Sequence, residues 1–148
     1  MEPELCDEIA NLENIVAIKY SVPREMYKRL TQLANDRIIV STASENDWHQ
    51  NIQELNWKLY LCSSPPFLLQ TKNDKRMKKY TDLALRKDFE NSKLVCDSLD
   101  TVRQAFHHSK PHGKLCVHQK YWQEPLGQVD SRTSFPKLEL TNDKKKKL

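Results

Sequence analysis

The sequence predicts an α/β fold in which βα units of a parallel sheet are followed by an all-helical C-terminal extension. Three observations predict it. Short apolar runs rich in β-branched residues (Asn14 to Lys19, Arg37 to Ser41, Lys58 to Cys62) alternate with stretches whose apolar residues recur at helical spacing. Strands of about five residues joined by helices of about ten or more specify crossover connections, and therefore parallel pairing. After Ser63-Ser64-Pro65-Pro66 no further strand pattern occurs, and the remaining apolar residues keep helical spacing.

Taken in order, Pro3 to Leu12 carries Leu5, Ile9 and Leu12 at spacings of four and three, one face of a short helix. Asn14 to Lys19 is a continuous apolar run, the kind expected of a strand buried on both faces. Ser21 opens a second helix with Pro23 in its first turn and Met26, Tyr27, Leu30 and Leu33 on its inner face. Arg37 to Ser41 is the second strand, followed by the polar loop Thr42 to Asn46 and a helix facing inward through Trp48, Ile52 and Leu55. Lys58 to Cys62 is the third strand. Helices are then expected over Phe67 to Thr71, Asp74 to Arg86, Asp88 to His108 (Phe89, Leu94, Leu99, Val102 and Phe106 inward) and His112 to Leu126 (Val117, Tyr121 and Trp122 inward). Pro136, Leu138 and Leu140 mark an extended piece before the closing lysines. The resulting organisation is βα units over 1–72, a helical extension over 73–127 and an extended tail over 128–148.

Composition removes several functional classes. At 148 residues, with 38% hydrophobic residues, the chain has material for one modest core. A closed eight-stranded α/β barrel typically needs about 250 residues. Average glycine usage of roughly 7% would give about ten glycines; the chain has 2, so glycine-rich phosphate loops are excluded. The net charge of +4 is matched by the lysines at 144–147, which reads as a solvated tail, so no nucleic-acid partner is expected. No apolar run approaches the roughly 20 residues of a membrane span, and the first residues are acidic where a signal peptide is basic. No membrane association is expected, and a cytoplasmic location is. Cys6, Cys62, Cys96 and Cys116 are scattered and read as reduced thiols, with Cys62 a small core residue. His107, His108, His112 and His118, with Cys116, match no metal-ligand spacing and read as surface or packing residues; no metal site is expected. Trp48, Trp57, Trp122 and Tyr121 sit among aliphatics at helix-face spacing, which favours core packing over base stacking.

Lys19 stands out because it closes a strand. Alternation puts it on one face with Ile15 and Ala17, with Val16 and Ile18 on the other, and ligands of parallel α/β sheets bind at the carboxyl ends of strands. An amine becomes a useful nucleophile when its pKa falls from about 10.4 toward roughly 7 to 8. Burial among apolar neighbours does this by disfavouring the ammonium, and the neutral amine can then form a Schiff base with a ketone.

The segment Leu12-Glu-Asn-Ile-Val-Ala-Ile-Lys19-Tyr-Ser resembles the sixth-strand motif of the dihydrodipicolinate synthase and N-acetylneuraminate lyase family of class I aldolases. The succession of elements after Lys19 is similar to that family too: a helix, a strand ending in Ser41 at the Ser-Gly-Asp-Asp position, another helix, a last strand and a helical extension closing on Phe135-Pro136-Lys-Leu138-Glu-Leu140-Thr141. The resemblance covers nearly the whole chain but only the C-terminal half of the family's fold. It implies a partial (βα)8 TIM barrel, strands six to eight with their helices. The implied activity is that of a lyase in which Lys19 forms an imine with pyruvate or another 2-oxo acid for aldol addition to, or release of, an aldehyde, without a cofactor. Carried over by position, Thr42, Ser44 and Glu45 meet the distal part of the substrate, while Leu61 and Ser63 line the pyruvate end.

Departures from the pattern are specific. Thr42-Ala43-Ser44 stands where the family has Gly-Asp-Asp, with Glu45 and Asp47 nearby, and Ser63 to Pro66 replaces a glycine- and asparagine-rich stretch. The family's carboxylate-binding Thr/Ser pair and its relay tyrosine belong to earlier strands, and Tyr20, on the strand face opposite Lys19, does not replace the latter. The chain alone is therefore expected to be weakly active or inactive, a truncated product. The alternative is a non-catalytic fragment that needs a partner chain to complete its barrel. A complementing N-terminal half could do so, whereas a homo-oligomer, though possible, supplies only three strands per copy, six in a dimer, and does not rebuild eight strands by simple addition.

Overall fold

A computed structural model describes residues 1–60, 69–108, 115–130, 132 and 141–146. The chain divides into two compact units, Met1–Ser63 with Asp82–Phe89, and Ser64–Thr81 with Glu90–Leu148.

In the first unit, the expected βα alternation forms. β1 (Ala17–Lys19) and β2 (Ile39–Ser41) pair in parallel, with Ala17 opposite Ile39, Ile18 opposite Val40 and Lys19 opposite Ser41. Both strands are shorter than their apolar runs. β1 is also not buried on both faces, as its continuous hydrophobicity had suggested: Val16, just before it, is 71% exposed. Coverage is uneven on both faces: Val16 is exposed on the face where Ile38 and Val40 are buried, and Ile39 is exposed on the face where Ser41 is buried.

The crossover is α2 (Arg24–Ala34), which buries Tyr27, Leu30, Thr31 and Ala34, an i, i+3, i+4, i+7 stripe, and packs against β2. Met26 and Leu33, expected to be fully inward, flank the stripe half-buried. Pro23 is the N-cap residue rather than part of the first turn. α1 (Pro3–Ile9) packs on α2 through a different face from the one its leucines suggest: Pro3, Cys6 and Ala10 are buried, while Leu5 and Leu12 are exposed. Small residues at the contact let the helices approach closely. Arg37 clamps the pair from outside, donating to the Asp7 carboxylate and to Asn11 Oδ1 (2.6 Å).

α3 (Trp48–Leu55) buries Trp48, Asn51 and Ile52, with Leu55 half-buried, and ends at Asn56 in the left-handed region (φ 54°), a conformation asparagine tolerates. A polar network ties α3 to α2. Arg24 donates to the Tyr27 hydroxyl (2.8 Å), to Asn51 Oδ1 and to Glu54 (2.7 Å), and Tyr27 donates to Asn51 Oδ1 (3.3 Å). Hydrogen bonds from Gln50 and Arg24 hold the Glu54 carboxyl below the usual carboxylate range.

Beyond α3, Trp57 is buried against Tyr27 (ring centroids 5.3 Å apart) and donates its indole N–H to Thr31 Oγ1 at 3.1 Å. Thr31→Val keeps the shape but leaves that buried donor unpaired, which costs about 1–3 kcal/mol. Urea denaturation should show that loss, with Thr31→Ser close to wild type; a Val variant as stable as wild type would remove the bond from the core's energetics. Of the third expected strand, Lys58–Tyr60 forms no ladder among the described residues, and Leu61 and Cys62 lie outside them. The segment is nevertheless tied to β2, because Ser41 Oγ donates to the Leu59 carbonyl (3.2 Å).

α4 (Arg76–Leu85) starts after a side-chain latch in the second unit. Thr71 Oγ1 accepts the Asp74 N–H (3.0 Å), and Asp74 accepts the Arg76 N–H and pairs with its guanidinium (2.6 Å). The Arg76 hydrogen bond holds the Asp74 carboxyl below its ordinary range.

Where one helix is expected over Asp88 to His108, there are two, α5 (Phe89–Asp97) and α6 (Asp100–His108). The break is at Ser98, whose hydroxyl bonds back to the Val95 carbonyl (2.7 Å) while its own carbonyl accepts from Arg76 (2.6 Å) instead of continuing the helical ladder. The re-aimed chain fully buries Leu99 and leaves Leu94, expected inward, 66% exposed. Tyr80 and Ser92 are fully buried together, the serine donating to the Tyr80 carbonyl (2.7 Å).

α7 (Leu115–Gln123) buries Val117, with Tyr121 and Trp122 half-buried. A four-residue helix, α8 (Asn142–Lys145), stands in the segment expected to be an extended tail, and Tyr121 donates to the Lys145 carbonyl (3.4 Å). Phe67, Leu68, His112, Pro136, Leu138 and Leu140 lie outside the described residues, as do the side chains of Phe106, His107, His108, Cys116 and His118. Among the described residues, no helix is long and apolar enough to cross a membrane, and no group of three or more His, Cys, Asp or Glu side chains is placed to hold a metal ion.

Candidate active site

Lys19 ends β1, and its ladder partner Ser41 ends β2, so the two strands deliver a lysine and a serine side by side at their carboxyl ends. Paired residues of a parallel ladder project to the same sheet face. That face also carries Ala17 and Ile39, and Ile39 is 44% exposed.

Lys19 itself is exposed. The expected burial of its amine among apolar neighbours is therefore not supplied by the described residues. The physical reason lies in the sheet: the residues beside Lys19 on its own face, Ala17, Ile39 and Ser41, are small or themselves exposed, and supply no apolar cover for the amine.

The loop after β2 is held closely. Ser41 is fully buried, its carbonyl accepting the Tyr20 N–H at 2.7 Å. Thr42 and Glu45 are also buried, and the Glu45 carbonyl accepts the Trp48 N–H (3.0 Å), closing the turn into α3. Ser44 is half-buried, so of the three loop residues expected to meet substrate it has the most accessible surface. Tyr60 braces the loop from the third segment: its hydroxyl donates to the Ala43 carbonyl (2.8 Å) and its ring stacks on Trp48 (centroids 5.5 Å apart, 24° between planes). Leu61 and Ser63 lie outside the described residues.

Tyr20 points away from Lys19, as strand alternation requires. It is buried, its hydroxyl donates to the Met1 carbonyl, and burial, with Cys6, Glu2 and Glu4 nearby, raises its phenol above the usual range. The site thus brings together Lys19, Ser41 and the loop from Thr42 to Glu45. Reading the residues one strand at a time singled out Lys19 but not Ser41. The signal for Ser41 was available, since two consecutive strands paired in parallel and ending together must place their last residues side by side.

A solved structure of a dihydrodipicolinate synthase is similar to this chain, with 20% sequence identity and a TM-score of 0.73. The match covers 98% of this chain and 47% of that one, so the chain spans about half the length of the structure it matches. At this identity the likeness shows the fold. No family model matches the sequence, and no curated protein does.

Proposed function

We propose that this chain carries the imine-forming part of a lyase or aldolase site of the dihydrodipicolinate synthase type, as strands six to eight of a partial barrel with their helices. The reading rests on the placement of Lys19 at the carboxyl end of a parallel strand pair, where α/β folds bind ligands. It is supported by the fold shared with a dihydrodipicolinate synthase.

Lys19 Nζ attacks the keto carbon of pyruvate or a related 2-oxo acid. The C–N bond forms, the keto oxygen collects two protons and leaves as water, and a protonated imine remains. That imine draws electrons from the adjacent carbon. Loss of a proton there gives an enamine that adds to an aldehyde, and cleavage is the same path reversed; water then returns the free amine. Ser44 is the loop residue best exposed to touch the aldehyde-derived end, with Thr42 and Glu45 shaping the loop beneath it. Leu61 and Ser63 are assigned to the pyruvate end. No cofactor is needed for this chemistry, and we place it in the cytoplasm.

The test is incubation of the whole chain with pyruvate and borohydride, followed by peptide mass spectrometry. A reduced adduct on Lys19 is the expected result. A folded protein with no adduct there would overturn unaided imine formation.

A second reading, a non-catalytic piece that joins a partner chain, is favoured by one observation: Val16, Ile39 and Leu59 are exposed in and beside the sheet. Its partner would be a second copy or a chain supplying the remaining strands. Light scattering with size-exclusion chromatography separates the two: a compact monomer that unfolds cooperatively refutes the need for a partner.

A further inference from the structure

We propose that the outer edge of β1 and the open face of α1 together form a docking surface for a different chain, one that carries a parallel strand with its helix from the other half of this fold. The inference deepens the second reading above, on which it rests, by naming the surface and the partner.

The sheet layer is open on one side. The Tyr20 N–H bonds to the Ser41 carbonyl and the Ile39 N–H to the Val16 carbonyl, so Val16, Ile18 and Tyr20 turn their backbone groups toward β2. Alternate residues of a parallel strand turn theirs the other way. That leaves the N–H and carbonyl groups of Ala17 and Lys19 on the outer edge, where nothing among the described residues bonds to them. Burial falls off toward the same edge: Ile38, just before β2, is 4% exposed, whereas Val16, its neighbour just before β1, is 71% exposed.

The helix layer is open on the same side. α2 lies between α1, which packs on it, and α3, which is tied to it through Arg24. α3 follows β2, and the segment after α3 is held to β2 by the bond from Ser41 to Leu59. The helices α1, α2 and α3 therefore run in the same order as β1, β2 and that segment, so α1 is the outermost helix where β1 is the outermost strand. The Tyr20 hydroxyl, donating to the Met1 carbonyl, ties the two together. α1 buries Pro3 and Cys6, while Leu5, and Leu12 beyond its end, are exposed. Unpaired backbone in one layer thus meets bare apolar side chains in the other.

Charge decides the occupant. No Lys or Arg precedes Lys19, and Glu2, Glu8 and Glu13 are exposed on and beside α1, with Glu4 and Asp7 paired to Arg29 and Arg37. A second copy docked edge to edge about a two-fold axis would set α1 against α1, and these carboxylates against one another. A chain bearing the remaining strands brings a different helix to that face. The match to the dihydrodipicolinate synthase takes up 47% of that chain, so the rest of its fold has no counterpart here.

The experiment co-expresses the whole chain, tagged, with a probe: the part of that dihydrodipicolinate synthase which the match leaves uncovered. A one-to-one complex by light scattering is expected, with amide exchange at Ala17 and Lys19 slow in the complex and fast in the chain alone. Ala17→Pro removes an outward N–H and no bond to β2. It should recover about tenfold less probe, with the circular dichroism of the chain unchanged, and Val16→Lys should lower recovery similarly. Leu94→Lys, at an exposed leucine of α5, should recover as much as wild type. No recovery by the wild type, equal recovery by Ala17→Pro, or a discrete dimer of the chain alone with slow exchange at Ala17 and Lys19 overturns the inference and leaves the need for a partner standing. A chain that is by itself a compact monomer with cooperative unfolding overturns the reading on which it rests.

Discussion

Lys19→Met is expected to abolish borohydride trapping of pyruvate on this chain while leaving its fold intact. The two halves of that expectation have separate grounds. The chemistry needs a nitrogen lone pair at the end of β1, and a thioether has none to offer a ketone, so the loss is complete rather than graded. The fold, in contrast, draws little from this side chain. Lys19 is exposed, and the bonds that pair its strand with β2 are backbone bonds. Substitutions at exposed positions usually change stability by no more than about 0.5 kcal/mol. The control is Lys58→Met, since Lys58 is an exposed lysine in the same unit and its loss should leave the adduct yield untouched. Intact-protein mass after trapping, with thermal unfolding on the same samples, decides the matter. An adduct that forms on folded Lys19→Met at the wild-type rate means the reactive amine is elsewhere.

What could be read in the sequence depended on which interactions decided each element. The βα alternation was legible because it is written in local periods: the runs at Asn14 to Lys19 and Arg37 to Ser41 are too short for helices, and Met26, Tyr27, Leu30 and Leu33 recur at helical spacing. The inner face of α1 was not legible from its leucines. Cys6 and Ala10 win that face because they let α1 lie close to α2, and closeness between two helices is not a property of either one alone. The break at Ser98 was hidden for a similar reason, since the competitor for its carbonyl, Arg76, is distant in sequence. At the site, the end-of-strand position of Lys19 followed from the run that precedes it. Its exposure did not, because the coverage of a strand's face is decided by whatever packs there, and a continuous apolar run reads the same whether one face is covered or two.

The largest stability effect is expected at Tyr27, which links α2 to the segments after it. Its ring is 1% exposed and packs at 5.3 Å from Trp57, and its hydroxyl lies between Arg24 and Asn51. Tyr27→Ala removes the ring's transfer energy and leaves a cavity that a helix anchored on both sides cannot collapse; comparable aromatic truncations cost about 3–5 kcal/mol. Against a typical domain stability of about 5–15 kcal/mol, that is a large share. Tyr27→Phe separates the ring from the hydroxyl. Arg24 keeps Glu54 and Asn51 as acceptors, so the hydroxyl's absence should cost only about 1 kcal/mol. Urea denaturation of both variants measures the difference, and trapping at Lys19 extends it to the site. Because α2 packs on β2, whose last residue is the ladder partner of Lys19, Tyr27→Ala should lose trapping in step with its loss of folded protein, while Tyr27→Phe traps as wild type. An Ala variant within about 1 kcal/mol of wild type would show that the α2 stripe is not what holds the strand pair in place.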